Sequence, residues 1–147
     1  MNLVVVGKFK DKNLENLENN YLKRITAPKL NIHEVKARAE NKESEALEVL
    51  KKISSLSQKP YIILLTEFGE SFHSPDFSKW LFSKLEDSKD IFFVICGAEG
   101  PSERLKKESQ SQLSLGKMTM PHKLARVILV EQIYRAQTIH NRHPYHN

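Results

Sequence analysis

Two segments of this chain, Tyr-Ile-Ile-Leu-Leu at residues 61–65 and Ile-Phe-Phe-Val-Ile-Cys at residues 91–96, carry no charged or amide side chain. A strand with one wet face alternates polar and apolar residues, so an unbroken run marks a strand covered on both faces. Helices cover both faces of a sheet when they connect parallel strands. Every other element has to be compatible with that arrangement.

Shorter β-branched or apolar runs at residues 3–6, 30–35 and 113–115 supply three more strands. Helical spacing fills the intervals. Residues 12–25 align Leu14, Leu17, Tyr21, Leu22 and Ile25, and residues 43–56 align Ala46, Leu47, Leu50, Ile53 and Leu56. Ser74-Pro75-Asp76 combines a capping hydroxyl, a first-turn proline and an acid suited to the helix dipole, and Phe77, Trp80, Leu81 and Leu85 follow as a stripe. Residues 101–110 predict a short polar helix and residues 123–140 the last one. Strands alternating with helices predict an α/β fold with a mostly parallel sheet flanked by helices, built by residues 1–147 as one domain. The segment 36–42 reads as a surface loop.

No apolar run approaches the roughly 18 residues of a membrane span. Residues 1–7 read as the first strand rather than a leader. Cys96 is the one cysteine, so no intrachain disulfide forms, which fits a reducing cytoplasm. The formal net charge is +5, and it is unevenly placed. From position 117 to the end, five basic residues face one acid, Glu131, a net of +4, and four of the six histidines fall in the same stretch. A concentrated basic surface attracts a polyanion such as nucleic acid, although a solvated helix face carries the same pattern.

In open α/β sheets, ligands occupy the crevice beyond the carboxyl ends of the strands. Three segments fall there: residues 65–69, 96–101 and 115–121. Each alone is an ordinary strand-to-helix turn, and none matches a GxGxxG or P-loop pattern. Together, with Met118 and Met120 as adaptable apolar surface, they outline a small-molecule pocket. Cys96, at the end of a buried strand, reads as packing rather than as a nucleophile.

The last helix is apolar around most of its circumference. Leu124, Val127, Ile128 and Ile133 are expected in the core, and Glu131 and Arg135, four apart, extend the Leu124–Ile128 line. Such a pair is either a buried structural contact or part of a site. A helix with so little polar face needs a second covering surface, which a homodimer provides. His140, His143 and His146 follow at intervals of three, but Pro144 breaks helical geometry and no carboxylate or thiol completes a ligand set, so no metal is expected. In this tail Tyr145 can stack on a base, Arg142 can hold phosphate, and His146 or His143 can move a proton.

The residues Met120-Pro121-His122, Arg126-Val127, Glu131-Gln132-Ile133-Tyr134-Arg135-Ala136 and Tyr145-His146 resemble the signature of the RlmH family, bacterial ribosomal RNA methyltransferases of the SPOUT class. The likeness runs the whole length, through Val6-Gly7, the Leu65–Gly69 turn and Glu99-Gly100. Three positions depart from it: Cys96 stands where the family usually has glycine, Thr66 where aspartate is common, and Asn147 where a basic residue is common.

The resemblance implies a C-terminal trefoil knot, which general rules of chain topology disfavour. It implies S-adenosyl-L-methionine as cofactor, held by Leu65, Cys96, Gly97, Leu115, Gly116, Lys117, Met118, Thr119 and Met120. It implies a homodimer acting on N3 of a pseudouridine in large-subunit (23S) ribosomal RNA of the assembled ribosome. His146 and Tyr145 are then expected at the target, with His143 as the competing base and Glu131 orienting Arg135. Arg142, Arg126 and Lys123 are expected on RNA. Two other readings of the same residues are a non-catalytic RNA-binding module using the basic tail and a metalloenzyme using the tail histidines.

Overall fold

The computed structural model describes residues 1–38, 41–87 and 90–146, and of His146 the backbone. The strands β1 (Asn2–Val6), β2 (Asn31–Val35), β3 (Tyr61–Glu70), β4 (Ile91–Ile95) and β5 (Ser111–Leu113) form one sheet in the order β2-β1-β4-β3-β5. Every pairing is parallel. The helices are α1 (Lys12–Leu22), α2 (Lys42–Leu56), α3 (Ser74–Asp87), α4 (Glu103–Glu108) and α5 (His122–His140), and a 3-10 turn, Pro144–His146, closes the described chain.

The period of two along each strand divides the core. Leu3, Val5, Ile63, Phe93 and Ile95 pack with α3, α5 and the end of α1. Val4, Val6, Ile62, Leu64, Phe92 and Val94 pack with α2 and α4 on the opposite face. Crossovers that step one way along the sheet use the α1/α3 face, and those that step back use the α2/α4 face, as a common crossover hand requires. All five residues of β4 are buried. The sequence marks β3 and β4 as doubly covered, and the structure adds β1, whose Leu3 to Val6 are also buried.

Several boundaries move for identifiable reasons. α1 stops at Leu22, and Ile25 reaches the core from the turn that follows. Asp11 starts that helix by accepting from the Asn13 and Leu14 amides. Ser102 caps α4 through the Leu105 amide at 3.2 Å, which shortens it to Glu103–Glu108. β3 runs on to Glu70 through an irregularity between Leu65 and Glu70. β5 is Ser111–Leu113 rather than 113–115, because Leu113 pairs with both Leu65 and Glu70 around that irregularity.

The largest departure concerns α5. Leu129, Val130, Ile133, Tyr134 and Ala136 face the sheet and its flanking helices. Val127 and Ile133 are core as expected, but Leu124 is 42% exposed and Ile128 half-buried. The Leu124–Ile128 line therefore looks outward. Ser78 donates its hydroxyl to the Ala136 carbonyl at 2.7 Å, which brings α3 close to α5. Gln137 donates to the Pro28 carbonyl and accepts from the Thr26 amide, tying the α1–β2 turn to the same helix. After β5 the chain passes the ends of β3 and β4 and returns to the α1/α3 face, the course a C-terminal trefoil knot requires.

Candidate functional site

β3 and β4 are neighbours whose chains leave toward opposite faces, so their carboxyl ends open a crevice. Its volume is about 940 Å³. The three turns read from the sequence meet here: Leu65 to Phe68, Cys96 to Pro101, and Leu115 with Gly116 and Met118 to Pro121. Eight of the nine proposed cofactor residues line it; the exception is Lys117, exposed between Gly116 and Met118.

Close backbone approach builds these walls. A Cβ at Gly69 would lie 2.6 Å from the Leu113 carbonyl carbon and 2.7 Å from that of Gln112, so β3 reaches β5 here only because residue 69 has none. Thr119 donates its hydroxyl to Glu67 at 2.8 Å, joining two walls. The Ser114 hydroxyl accepts from the Gly116 amide and donates to its carbonyl, which shapes the start of the third wall. Phe68 and Met118 are each 85% exposed at the mouth.

The floor is Ile95-Cys96-Gly97. Burial, reinforced by the charge of Glu45, pushes the Cys96 thiol up to about 12, so it is neutral at physiological pH and no nucleophile. Lys42, Lys106, His122 and Ala125 also line the crevice and are not among the cofactor residues expected from the sequence. A signal for three of them existed: in parallel α/β folds the starts of helices adjoin the carboxyl ends of strands, and Lys42, His122 and Ala125 lie in the first turns of α2 and α5.

A second cluster surrounds the end of α5. Arg135 holds Glu131 at 2.8 Å, and both are largely buried. Glu131 also accepts from Gln132 at 2.6 Å and from the Tyr145 hydroxyl at 3.2 Å. Tyr145 stands edge-on to Tyr134, with the guanidinium groups of Arg24 and Arg135 each 5.1 Å from its ring centre. Arg24 also bonds the Tyr134 hydroxyl. Burial, then the Tyr21 hydroxyl and the Glu131 carboxylate, raise the Tyr145 phenol to about 12, which suits it to donating and stacking. Tyr21 and Arg24 join this cluster only through tertiary contact.

Arg142 takes the left-handed region at φ 54. The Arg142 amide donates to the Ile139 carbonyl and the His143 amide to that of Thr138, the paired bonds of a Schellman stop. Arg142 and His143 are exposed, and the His143 Nδ1 accepts from the Tyr145 amide at 3.2 Å. His140 stacks on Phe82. The side chain of His146 lies outside the described residues.

One RNA-contacting expectation is overturned. Arg126 is 5% exposed. It holds Glu18 at 2.5 and 2.9 Å and Glu34 at 2.7 Å, beneath the Phe9 ring. Both acids lie on elements distant in sequence, so nothing local announced the pairing. Lys123 remains partly exposed. The crevice and the tail cluster are separate within one chain, since none of Glu131, Arg135, His143 or Tyr145 lines the crevice. Among the described residues no three His, Cys, Asp or Glu side chains form a metal-binding group, and no helix is long and apolar enough to cross a membrane.

A ligand crevice at the carboxyl ends of an all-parallel sheet, closed by a returning C-terminal helix, is the arrangement of SPOUT methyltransferases. The SpoU methyltransferase AviRb from Streptomyces viridochromogenes, solved in complex with AdoMet, shares the fold at a TM-score of 0.51 and 10% identity, over 93% of this chain and 57% of that longer one. The family described as "Predicted SPOUT methyltransferase" matches residues 1–146. Within that class, the chain belongs to the RlmH family. It is 36% identical to ribosomal RNA large subunit methyltransferase H of Oenococcus oeni, over 98% of this chain and 96% of the relative. The protein of the same name from Acholeplasma laidlawii is 39% identical over 98% and 97%. That from Prochlorococcus marinus strain MIT 9303 is 40% identical over 98% and 90%.

Proposed function

We propose that this protein methylates N3 of a pseudouridine in 23S ribosomal RNA of the assembled ribosome, using S-adenosyl-L-methionine. The observation that carries the reading is the 36–40% identity, along 98% of the chain, to proteins named ribosomal RNA large subunit methyltransferase H. The site fits the cofactor: the crevice has the volume of a small-molecule pocket, its walls are mainly apolar or backbone, and Gly97 brings only backbone to its floor. Leu65, Cys96, Gly97, Leu115, Gly116, Met118, Thr119 and Met120 would hold it. When bound, it supplies a methyl group on a cationic sulfonium.

The protein's part is to align the acceptor and manage one proton. An imide nitrogen attacks well only after its proton leaves. His143 uses Nδ1 as an acceptor, which puts its proton on Nε2 and makes that nitrogen a donor. In this reading His146 is the base and His143 the competing one. In this reading Tyr145, whose hydroxyl donates to Glu131 and whose ring meets Tyr134, stacks on the target, and Arg135 stabilises the developing imide anion. Arg142 and Lys123 would meet phosphate; Arg126 is excluded from that role by its burial.

Because a chain's tail cluster does not line its own crevice, the working unit in this reading is a homodimer. The outward Leu124–Ile128 line of α5 lies in its interface, and each tail serves the partner's crevice. Residues 1–147 act as one domain, in the cytoplasm, without a metal or a membrane.

The test is to delete the gene in its host, map the lost ribosomal RNA methyl groups by mass spectrometry, and restore them with the intact protein. A chain cut after Arg142 should not restore them. His146→Ala should lose turnover and keep its calorimetric affinity for S-adenosylmethionine; unchanged turnover would remove the tail histidine from the mechanism. A binding module without catalysis would restore nothing and show no saturable heat with the cofactor.

A further inference from the structure

Behind the floor of the crevice lies a carboxylate that the proposed chemistry does not use. Glu45, in the first turns of α2, is 7% exposed. Its Oε1 accepts from the Arg38 amide at 2.9 Å. A Cβ built on Gly97 would lie 2.9 Å from Oε2 and 3.2 Å from Oε1. Gly97 lines the crevice and the carboxylate lies directly against it. Any other residue at position 97 would press on the acid.

Among the described residues no cation pairs with Glu45. The two arginines that reach α2 are engaged with its other acids, Arg38 with Glu48 at 3.8 Å and Arg104 with Glu43 at 3.9 Å. Of the charged groups lining the crevice, Glu67 is bonded to Thr119 and Lys106 to Glu103, Glu99 is exposed to solvent, and Lys42 sits on the same helix start as Glu45. The Arg38 amide and the N-terminus of α2 favour the buried charge, and no side-chain cation among the described residues joins them. A cation arriving over Gly97 would compensate it.

We propose that Glu45 is a specificity-determining residue whose negative charge, acting through the glycine floor at Gly97, makes the crevice favour a sulfonium ligand over its neutral thioether product. The inference rests on the cofactor reading given above and adds the basis of discrimination. When the methyl group leaves, the carbon–sulfur bonding pair stays on sulfur and the positive charge is lost. The attraction to Glu45 is lost with it, so the spent cofactor is held less tightly and exchanges for fresh donor. A unit-charge interaction across several ångströms of partly shielded protein accounts for roughly a tenfold preference. Salt weakens it little, because the carboxylate is buried.

Calorimetry of the intact chain with S-adenosylmethionine and with S-adenosylhomocysteine tests this. The intact chain should bind the sulfonium more tightly. Glu45→Gln, which keeps the acceptor for the Arg38 amide, should lower that preference about tenfold, chiefly by weakening the sulfonium. Glu45→Asp, which keeps the charge, should retain most of it. An unchanged ratio in Glu45→Gln overturns the proposal, because a purely structural role would weaken both ligands together. If Glu45→Gln does not fold, the intact chain still decides: equal or tighter binding of the thioether overturns the proposal. Absence of heat with both compounds would remove the cofactor pocket itself, whereas a failed ratio with donor binding intact removes only the role of Glu45.

Discussion

Arg126 of α5 grips Glu18 of α1 at two points, Nε to Oε2 at 2.5 Å and Nη2 to Oε1 at 2.9 Å. Glu34, at the end of β2, takes the remaining face of the guanidinium at 2.7 Å. Burial alone would lower the Arg126 pKa; the bonds to Glu18 and Glu34 outweigh it, and the pKa is raised. The group fastens the start of α5, where His122 and Ala125 line the crevice, to two elements more than 90 residues away.

Breaking this contact should cost far more than removing a surface charge. Arg126→Met leaves Glu18 buried and unpaired and should destabilise the fold by about 3–5 kcal/mol. The double substitution Arg126→Met with Glu18→Leu should recover part of that loss, because no buried charge is left uncompensated at Glu18. Urea unfolding of the set measures both. The slope of RNA affinity against salt should be the same in the double variant as in the parent, since Arg126 meets no phosphate.

Gly69 sets the distance between β3 and β5. With 2.6 Å available to a Cβ against backbone atoms, Gly69→Ala forces the strands apart. The expected cost is about 1–3 kcal/mol of stability, together with weakened cofactor binding as the first and third walls shift. Gly100→Ala is a useful contrast: its Cβ would meet nothing within 4 Å, and only the positive φ of 70 opposes it. Thermal melting and calorimetry separate the two.

Cys96 should be chemically silent. Its thiol is pushed from 9.0 to about 12 by burial first and by Glu45 second. Iodoacetamide at pH 8.5 should label the native chain at least about a hundredfold more slowly than the urea-unfolded chain. The folded state keeps its proton where the unfolded state has lost it. This contribution to stability is therefore fully present below about pH 9 and is lost as pH rises toward 12. Comparing denaturation midpoints of the parent and Cys96→Ala across that range reads the slope, which should be shallower without the thiol.

The outward face of α5 predicts association. Leu124 is 42% exposed in the single chain, so Leu124→Glu should change its folding stability by no more than about 0.5 kcal/mol. The same substitution would bury a charge in a dimer and should shift the protein to monomers in sedimentation. If each tail serves its partner, turnover should fall with the dimer while the chain stays folded. A Leu124→Glu protein that remains dimeric would place the interface elsewhere.

The local pattern of residues was enough for the elements and the layers. Unbroken apolar runs announced β3 and β4, and the Ser74-Pro75-Asp76 start and the 3.6-residue stripes announced the helices. The three turns after β3, β4 and β5 could be assigned to one crevice because parallel strands share a carboxyl end. Tertiary structure decided what depends on contacts between distant segments. Arg126 became a buried pin instead of an RNA contact because Glu18 and Glu34 fold against it. The Leu124–Ile128 line turned outward because Leu129, Val130 and Ile133 took the sheet-facing side of a helix with almost no polar face to orient it. Nothing in Glu-Ser-Glu-Ala-Leu-Glu sets Glu45 apart from Glu43 and Glu48 until the chain returns as β4 and sets Gly97 against it. Periodicity reports which side of a helix or strand is apolar, while the partner a charged group meets is set by which far segment arrives there.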